Sequence, residues 1–323
     1  WYCVADGTAV TPAWAVDYES VVTSPVEGPV HGPWGRSGDD LLLLYTGGTT
    51  GMPKGVMWRQ DDLFTVLGAG GNAVLGIAPA ETVEELVARL DPATPGFVLL
   101  SACPLMHGTG QFSSLIAMNL GGCIVSLPSR HFDVGELLDE VQRNRVNSVI
   151  IVGQAFAGPL LEHLDAQPDT YDLSSVIMMS SSGVMWSQDN KEGLLRHLPQ
   201  AALFDSFGSS EAVGMGASVS TAAGASQTAR FQLGPNCVVF TEDGQRVQPG
   251  SGERGLVAVG GSIPVGYYKD EVKSAATFRI FEERRWSVPG DWAEVAADGS
   301  LILLGRGSVC INTGGEKVFP EEV

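Results

Sequence analysis

Between residues 97 and 211, short apolar runs alternate with stretches of helical character. The runs fall at 97–102, 123–127, 148–152, 176–180 and 202–205. Continuous apolar runs of this length read as strands buried on both faces. Their alternation with helices implies a parallel sheet covered by helices, an α/β fold. Asp133 followed by Glu136 reads as a capping box that opens a helix through Arg143. A further apolar run at 41–45, ending at a glycine cluster, reads as one more buried strand.

The flanks have a different texture. Residues 1–40 are rich in Pro, Gly and Ser and read as an irregular approach segment. After about residue 230 the apolar runs shorten to 237–240, 256–259, 292–295 and 301–304. Asp243-Gly244 and Asp298-Gly299 separate some of them and favour tight hairpin turns. This part reads as a smaller antiparallel, barrel-like subdomain. The expected organisation is an α/β core over 1–230, a β-rich subdomain over 231–304, and the start of a further domain over 305–323.

Composition narrows the partners. The 323 residues carry 19 Lys and Arg against 37 Asp and Glu, a net charge of −18. Such a surface repels nucleic acid and anionic lipid at long range, so a polyanionic ligand needs a local cluster of donors. No uncharged apolar run approaches the roughly 20 residues of a membrane span. Five cysteines without a C-x-x-C, and histidines without ligand spacing, argue against a disulfide framework or a zinc site. Reduced thiols and a cytoplasmic location are the plain expectation.

The sharpest motif is Thr46-Gly47-Gly48-Thr49-Thr50-Gly51-Met52-Pro53-Lys54-Gly55-Val56, directly after the 41–45 strand. Glycines let backbone N–H groups turn toward phosphate oxygens; threonines add hydroxyl donors and Lys54 a mobile charge. Gly55 after Lys54 rules out a Walker A loop. The segment resembles the phosphate loop of the adenylate-forming superfamily, which includes acyl-CoA synthetases, peptide-synthetase adenylation domains and luciferases. Gly47 stands where that loop usually carries Ser.

Further motifs follow in the order the resemblance requires. The segment from Pro104 to Gly110 resembles the second block, in which His107 would lie beside the acyl carboxylate. Ser181-Ser182-Gly183 resembles the segment lining the adenine pocket. Asp205-Ser206-Phe207-Gly208-Ser209-Ser210-Glu211 resembles the aromatic–Gly–x–Thr–Glu block, with Ser210 in place of Thr. Phe207 would stack on adenine, Ser210 would bond the α-phosphate and Glu211 would hold Mg²⁺. Asp291 resembles the ribose clamp, and Arg306 the arginine that bonds ribose or phosphate. Ser308 stands at the hinge, where Asp or Lys is usual, and Gly314-Gly315 belongs to the glycine block beyond it.

The resemblance is nearest to actinobacterial fatty-acyl-CoA synthetases, some of which act on sterol side chains. It implies ATP-dependent activation of a fatty or sterol-derived acid to an acyl-adenylate, then thioester formation with coenzyme A. It implies ATP, Mg²⁺ and CoA, and is compatible with a homo-oligomer. It also places the family's second catalytic lysine beyond Val323, so the chain is expected to be a piece of a longer protein. Two other readings stay open: an acyl-AMP ligase that delivers to a carrier protein, and a non-catalytic nucleotide- or acyl-binding module.

Overall fold

A computed structural model describes residues 1–4, 10–24, 33–46, 53–71, 76–91, 93, 96–129 and 131–306. It also describes the backbone of two short strands, β19 (Ile311–Asn312) and β20 (Lys317–Val318), which pair antiparallel. The chain divides into two compact units, Trp1–Asp40 and Leu41–Val323. The first holds β1 (Tyr2–Cys3), β2 (Val16–Asp17) and the one-turn helix α1 (Tyr18–Val22). β1 and β2 pair in parallel, and Asp17 caps α1 by accepting from the Glu19 N–H.

In the second unit, five strands form the parallel half of a sheet. They are β5 (Val98–Ser101), β6 (Cys123–Val125), β7 (Ser148–Ile151), β8 (Met178–Ser182) and β9 (Ala202–Ser209), in the order β6-β5-β7-β8-β9. Period-two alternation explains their unbroken apolar runs. Leu99 and Ile150 pack with Ala117 of helix α4 (Gly108–Asn119). Leu100, Val149 and Ile151 face the opposite way, against α5 (Val134–Asn144), α6 (Gly153–Ala166) and α7 (Gln188–His197). Both faces are covered, so both sets are mainly apolar, and buried polar groups such as Ser101 and Ser181 are hydrogen-bonded.

Asp133 caps α5 as expected, accepting from the Glu136 N–H at 2.8 Å. The reciprocal half of the box is not made: Glu136 Oε1 accepts instead from the Ser129 N–H. Beyond β9 the sheet continues antiparallel through β10 (Ala212–Ser220), β11 (Arg230–Leu233), β18 (Leu301–Arg306), β17 (Asp291–Val295), β13 (Arg254–Val259), β16 (Arg284–Ser287) and β15 (Phe278–Phe281). β12 (Cys237–Phe240) pairs with β13 off this path. The Asp298-Gly299 turn closes the β17–β18 hairpin, with Gly299 at φ 81°. Asp243-Gly244 makes a reversal of the same length, between the bridged residues Phe240 and Arg246, with Thr241 N–H donating to the Gln245 carbonyl.

A second sheet contains β3 (Leu41–Thr46), β4 (Lys54–Arg59) and β14 (Gly266–Tyr267). Here one sequence expectation is corrected. β3 is an edge strand rather than a buried one: Leu42 and Leu44 face the core, while Leu41, Leu43 and Tyr45 are 44%, 38% and 51% exposed. Side chains alternate across the sheet, and the face that carries Leu41, Leu43 and Tyr45 is left partly uncovered. The short helices α2 (Gln60–Val66), α3 (Val83–Arg89) and α8 (Glu271–Thr277) complete the unit. Among the described residues no helix is long and apolar enough to cross a membrane.

One ion pair lies inside this layering. Lys191 of α7 is fully buried, with its Nζ 3.5 Å from Asp205 Oδ2 of β9 and 2.9 Å from Ser226 Oγ. Burial pushes the Asp205 carboxyl up to about 6, against the pull of Lys191. Burial likewise lowers Lys191. Breaking such a pair from one side strands the other charge and costs about 3–5 kcal/mol. Lys191→Met is therefore expected to lower unfolding stability by about that amount at pH 7, and Lys191→Met with Asp205→Asn to recover most of it. Without Lys191 the Asp205 carboxyl rises further above its unfolded value. The native state then gains by taking up a proton, so the deficit shrinks as pH falls from 7 toward 5. Urea titrations of the three proteins at both pH values check this.

Candidate nucleotide site

The site is built around the turn from β9 to β10, where Ser210 and Glu211 reverse the chain. Both carbonyls of this turn are held from outside. Trp58 Nε1 on β4 donates to the Ser210 carbonyl at 2.9 Å, and Ser287 Oγ on β16 donates to the Glu211 carbonyl at 2.6 Å. Trp58 is 1% exposed and Ser287 is fully buried, so neither donor has water as an alternative. The Glu211 side chain accepts at Oε1 from Tyr267 Oη of β14, at 2.7 Å. Burial first, and the Glu211 charge second, push the Tyr267 phenol well up, so it remains a donor.

Lys54 opens β4, paired with Thr46 across the hairpin. Gly47, Gly48, Thr49, Thr50 and Gly51 lie outside the described residues. The Lys54 ammonium sits 5.7 Å from the centre of the Tyr267 ring and 2.8 Å from Asp270 Oδ2. Asp270 is also the N-cap of α8. The sequence expectation thus finds Lys54 beside the Glu211 turn, held by an acidic partner that no motif announced.

Asp291 and Arg306 face each other across the β17–β18 hairpin, with Oδ1 and Nε 3.1 Å apart. Asp291 is 6% exposed, and its second oxygen, Oδ2, is buried without a hydrogen-bond partner among the described residues. Burial pushes this carboxyl up; Arg306 opposes that shift, and the Glu211 charge adds to it. An unpaired buried acceptor is costly unless a donor arrives. A ribose hydroxyl is such a donor, so Oδ2 fits the ribose role. For Mg²⁺, the described residues hold no cluster of three or more His, Cys, Asp or Glu. The single carboxylate of Glu211 matches the usage of Mg²⁺, which takes one or two carboxylates and fills its shell with phosphate oxygens and water.

The other motifs meet this turn. His107 is the exposed N-cap residue of α4, and the helix start packs against Ser210: a β-carbon on Gly108 would lie 3.5 Å from Ser210 Oγ. The positive end of α4 therefore adjoins the Ser210–Glu211 turn. Gly183 lies beside Thr109, with Ser182 at the end of β8. Ser181 points inward and accepts from the Gly153 N–H. Phe207 stacks on Phe231, ring centres 5.4 Å apart. Ser206 and Gly208 lie on β9, both partly exposed. Asp205 stands apart from the rest, with its carboxylate committed to Lys191. Ser308 and Gly314-Gly315 lie outside the described residues. A cavity of about 430 Å³ opens beyond β5 and β6, bordered by Ala102, Pro104, Leu105, Phe132 and Phe156.

The description "AMP-binding enzyme" matches residues 4–268. This chain belongs to the AMP-binding enzyme family. A medium/long-chain-fatty-acid–CoA/3-oxocholest-4-en-26-oate–CoA ligase of Mycolicibacterium smegmatis is 45% identical over 293 residues, 89% of this AMP-binding chain and 52% of that protein. A 3-oxocholest-4-en-26-oate–CoA ligase of Rhodococcus rhodochrous is 40% identical over 99% of this chain and 58% of its own length. The chain spans about half the length of the curated relatives it matches. Among solved structures, O-succinylbenzoate coenzyme A synthetase from Bacillus subtilis, in complex with ATP and magnesium ion, superposes with a TM-score of 0.70 at 23% identity. That match covers 96% of this chain and 59% of that one, and shows the adenylate-forming fold.

Tyr267, Asp270 and Ser287 have no motif to reveal them. Trp58, in the Met57-Trp58 pair that follows the loop, is part of the resemblance to fatty-acyl-CoA synthetases, but its bond to the Ser210 carbonyl is not legible there. The others lie more than 200 residues further on and reach the site through strand pairing. Trp58→Phe removes the indole donor and leaves the Ser210 carbonyl unpaired. It is expected to cost about 1–3 kcal/mol, read as a shift in the urea midpoint at constant slope.

Proposed function

We propose that this chain carries the adenylation site of an acid–thiol ligase acting on fatty or sterol-derived carboxylic acids. In the first half-reaction a carboxylate oxygen attacks the α-phosphorus of ATP, the bond to the β-phosphate breaks, and pyrophosphate leaves. In the second, the CoA thiol attacks the acyl carbonyl and AMP leaves. The names of the 45%- and 40%-identical relatives support this substrate class. The observation that carries the reading is the meeting of Lys54, Glu211 and the Asp291–Arg306 pair around one turn.

Positioning and charge are the protein's share of such chemistry. Lys54 and the loop before it hold the β- and γ-phosphates. The Lys54–Asp270 pair is about one-third exposed on both sides, and a pair of that kind is worth about 0–1 kcal/mol. Phosphate oxygens can therefore take the lysine from Asp270 at little cost. Asp291 Oδ2 accepts from the ribose, and Arg306 favours the ionised form of that carboxyl against the upward push of burial. Ser210 and the start of α4 face the α-phosphate, with His107 at the acyl carboxylate. Phe207, Ser182 and Gly183 border the base. Mg²⁺, held by Glu211, would neutralise phosphate charge. The cavity beyond β5 lies in the size range of ligand pockets and receives the acyl chain. Residues 305–323 are read as the hinge and the start of the smaller domain.

In the full-length enzyme, Lys54→Ala is expected to lower ATP–pyrophosphate exchange at least tenfold while the melting temperature holds, because a charge-assisted bond contributes about 1.5–3 kcal/mol. Glu211→Gln is expected to abolish the Mg²⁺ dependence of the same exchange. Unchanged exchange in both variants overturns the assignment. Ala102→Phe, which fills the cavity, is expected to shift the accepted acids toward shorter chains with ATP binding retained, measured as kcat/KM across a chain-length series.

A further inference from the structure

Tyr267 meets both charged groups proposed above for metal-bound ATP. Its hydroxyl donates to Glu211 Oε1 at 2.7 Å, and the Lys54 ammonium lies over its ring, 5.7 Å from the centre. The residue is 5% exposed and is placed by its own backbone. It pairs with Val56 across the β14–β4 ladder, and its N–H donates to Ser274 Oγ at 2.8 Å. The ring packs on Phe278, with centres 6.0 Å apart. No ligand is needed to set its position.

A lysine and a glutamate lining one site attract each other. A direct pair would withdraw the cation from phosphate and the carboxylate from metal at once. In this structure the pair does not form: Lys54 binds Asp270, and Glu211 binds the Tyr267 hydroxyl. With Oε1 occupied, Oε2 is the Glu211 oxygen without a hydrogen bond among the described residues. We propose that Tyr267 is a positioning residue for metal-bound ATP: its hydroxyl holds one oxygen of the Glu211 carboxylate and so aims the other. This rests on the adenylation reading and adds to it a residue that touches neither nucleotide nor acid.

The test is calorimetric titration of ATP into the protein with Mg²⁺ and with EDTA. Wild type is expected to bind ATP more tightly with Mg²⁺. Tyr267→Phe keeps the ring and loses the hydroxyl. It is expected to lose about tenfold of the Mg²⁺-dependent gain, with metal-free ATP binding unchanged, since a hydrogen bond to a charged group is at stake. A merely structural role would weaken both titrations alike. In the Glu211→Gln background, Tyr267→Phe should add nothing, because the two groups act as one unit. Tyr267→4-aminophenylalanine keeps a donor at the same place and should retain the gain, which leaves a readout even if Tyr267→Phe fails to fold. Wild-type binding with an undiminished gain in Tyr267→Phe, or a lost gain in the 4-aminophenylalanine protein, overturns the role of Tyr267 alone. Absence of Mg²⁺-dependent ATP binding in wild type overturns the adenylation reading, and the Tyr267 proposal with it.

Discussion

The β9–β10 turn is where the two halves of the large sheet meet, and its two carbonyls are the contact on which the site depends. Strand pairing is parallel before this turn and antiparallel after it. A reversing chain leaves peptide groups without ladder partners, and buried ones must find donors elsewhere. Trp58 and Ser287 supply them from two separate strands. The same bonds fix the peptide from which the Glu211 side chain leaves. The core beneath is continuous, with Val56, Trp58, Phe112, Met215, Val257 and Leu301 in one buried cluster. Moving the phosphate-loop hairpin would therefore move Glu211 as well.

Charge follows the same economy of placement. The chain is strongly acidic, with net charge −18, so a site for a triphosphate must rely on a few local cations. Lys54 and Arg306 are each paired with an aspartate, but the two pairs differ in burial. Asp270 is about one-third exposed and can yield its lysine to a stronger anion. Asp291 is almost fully enclosed, so it keeps Arg306 and leaves one oxygen awaiting a donor. Solvent access separates an exchangeable pair from a fixed one.

The parallel half of the fold was legible because its strands are buried on both faces and carry unbroken apolar runs. Asp133 marked a helix start because capping is local chemistry within four residues. The run at 41–45 misled for the same reason that the others informed. An apolar run reports hydrophobicity, and what covers each face depends on neighbours far along the chain. Asp205 belongs to a motif by sequence, yet it is occupied by a lysine from the preceding helix. A motif fixes spacing along a strand, while the packing of α7 decides which layer each side chain enters.

Sequence alone determined the phosphate-loop chemistry, the order of the motifs and the strand–helix alternation, since these rest on residue type and short spacing. It also carried the resemblance to adenylate-forming enzymes. Tertiary structure alone decided that Tyr267 would meet Glu211 with its hydroxyl and Lys54 with its ring, that Asp270 would hold the lysine, and that Asp291 Oδ2 would have no partner among the described residues. Those outcomes come from pairing β4 with β14 and β17 with β18. The first of these joins residues about 210 positions apart, and no local propensity encodes a contact across that distance.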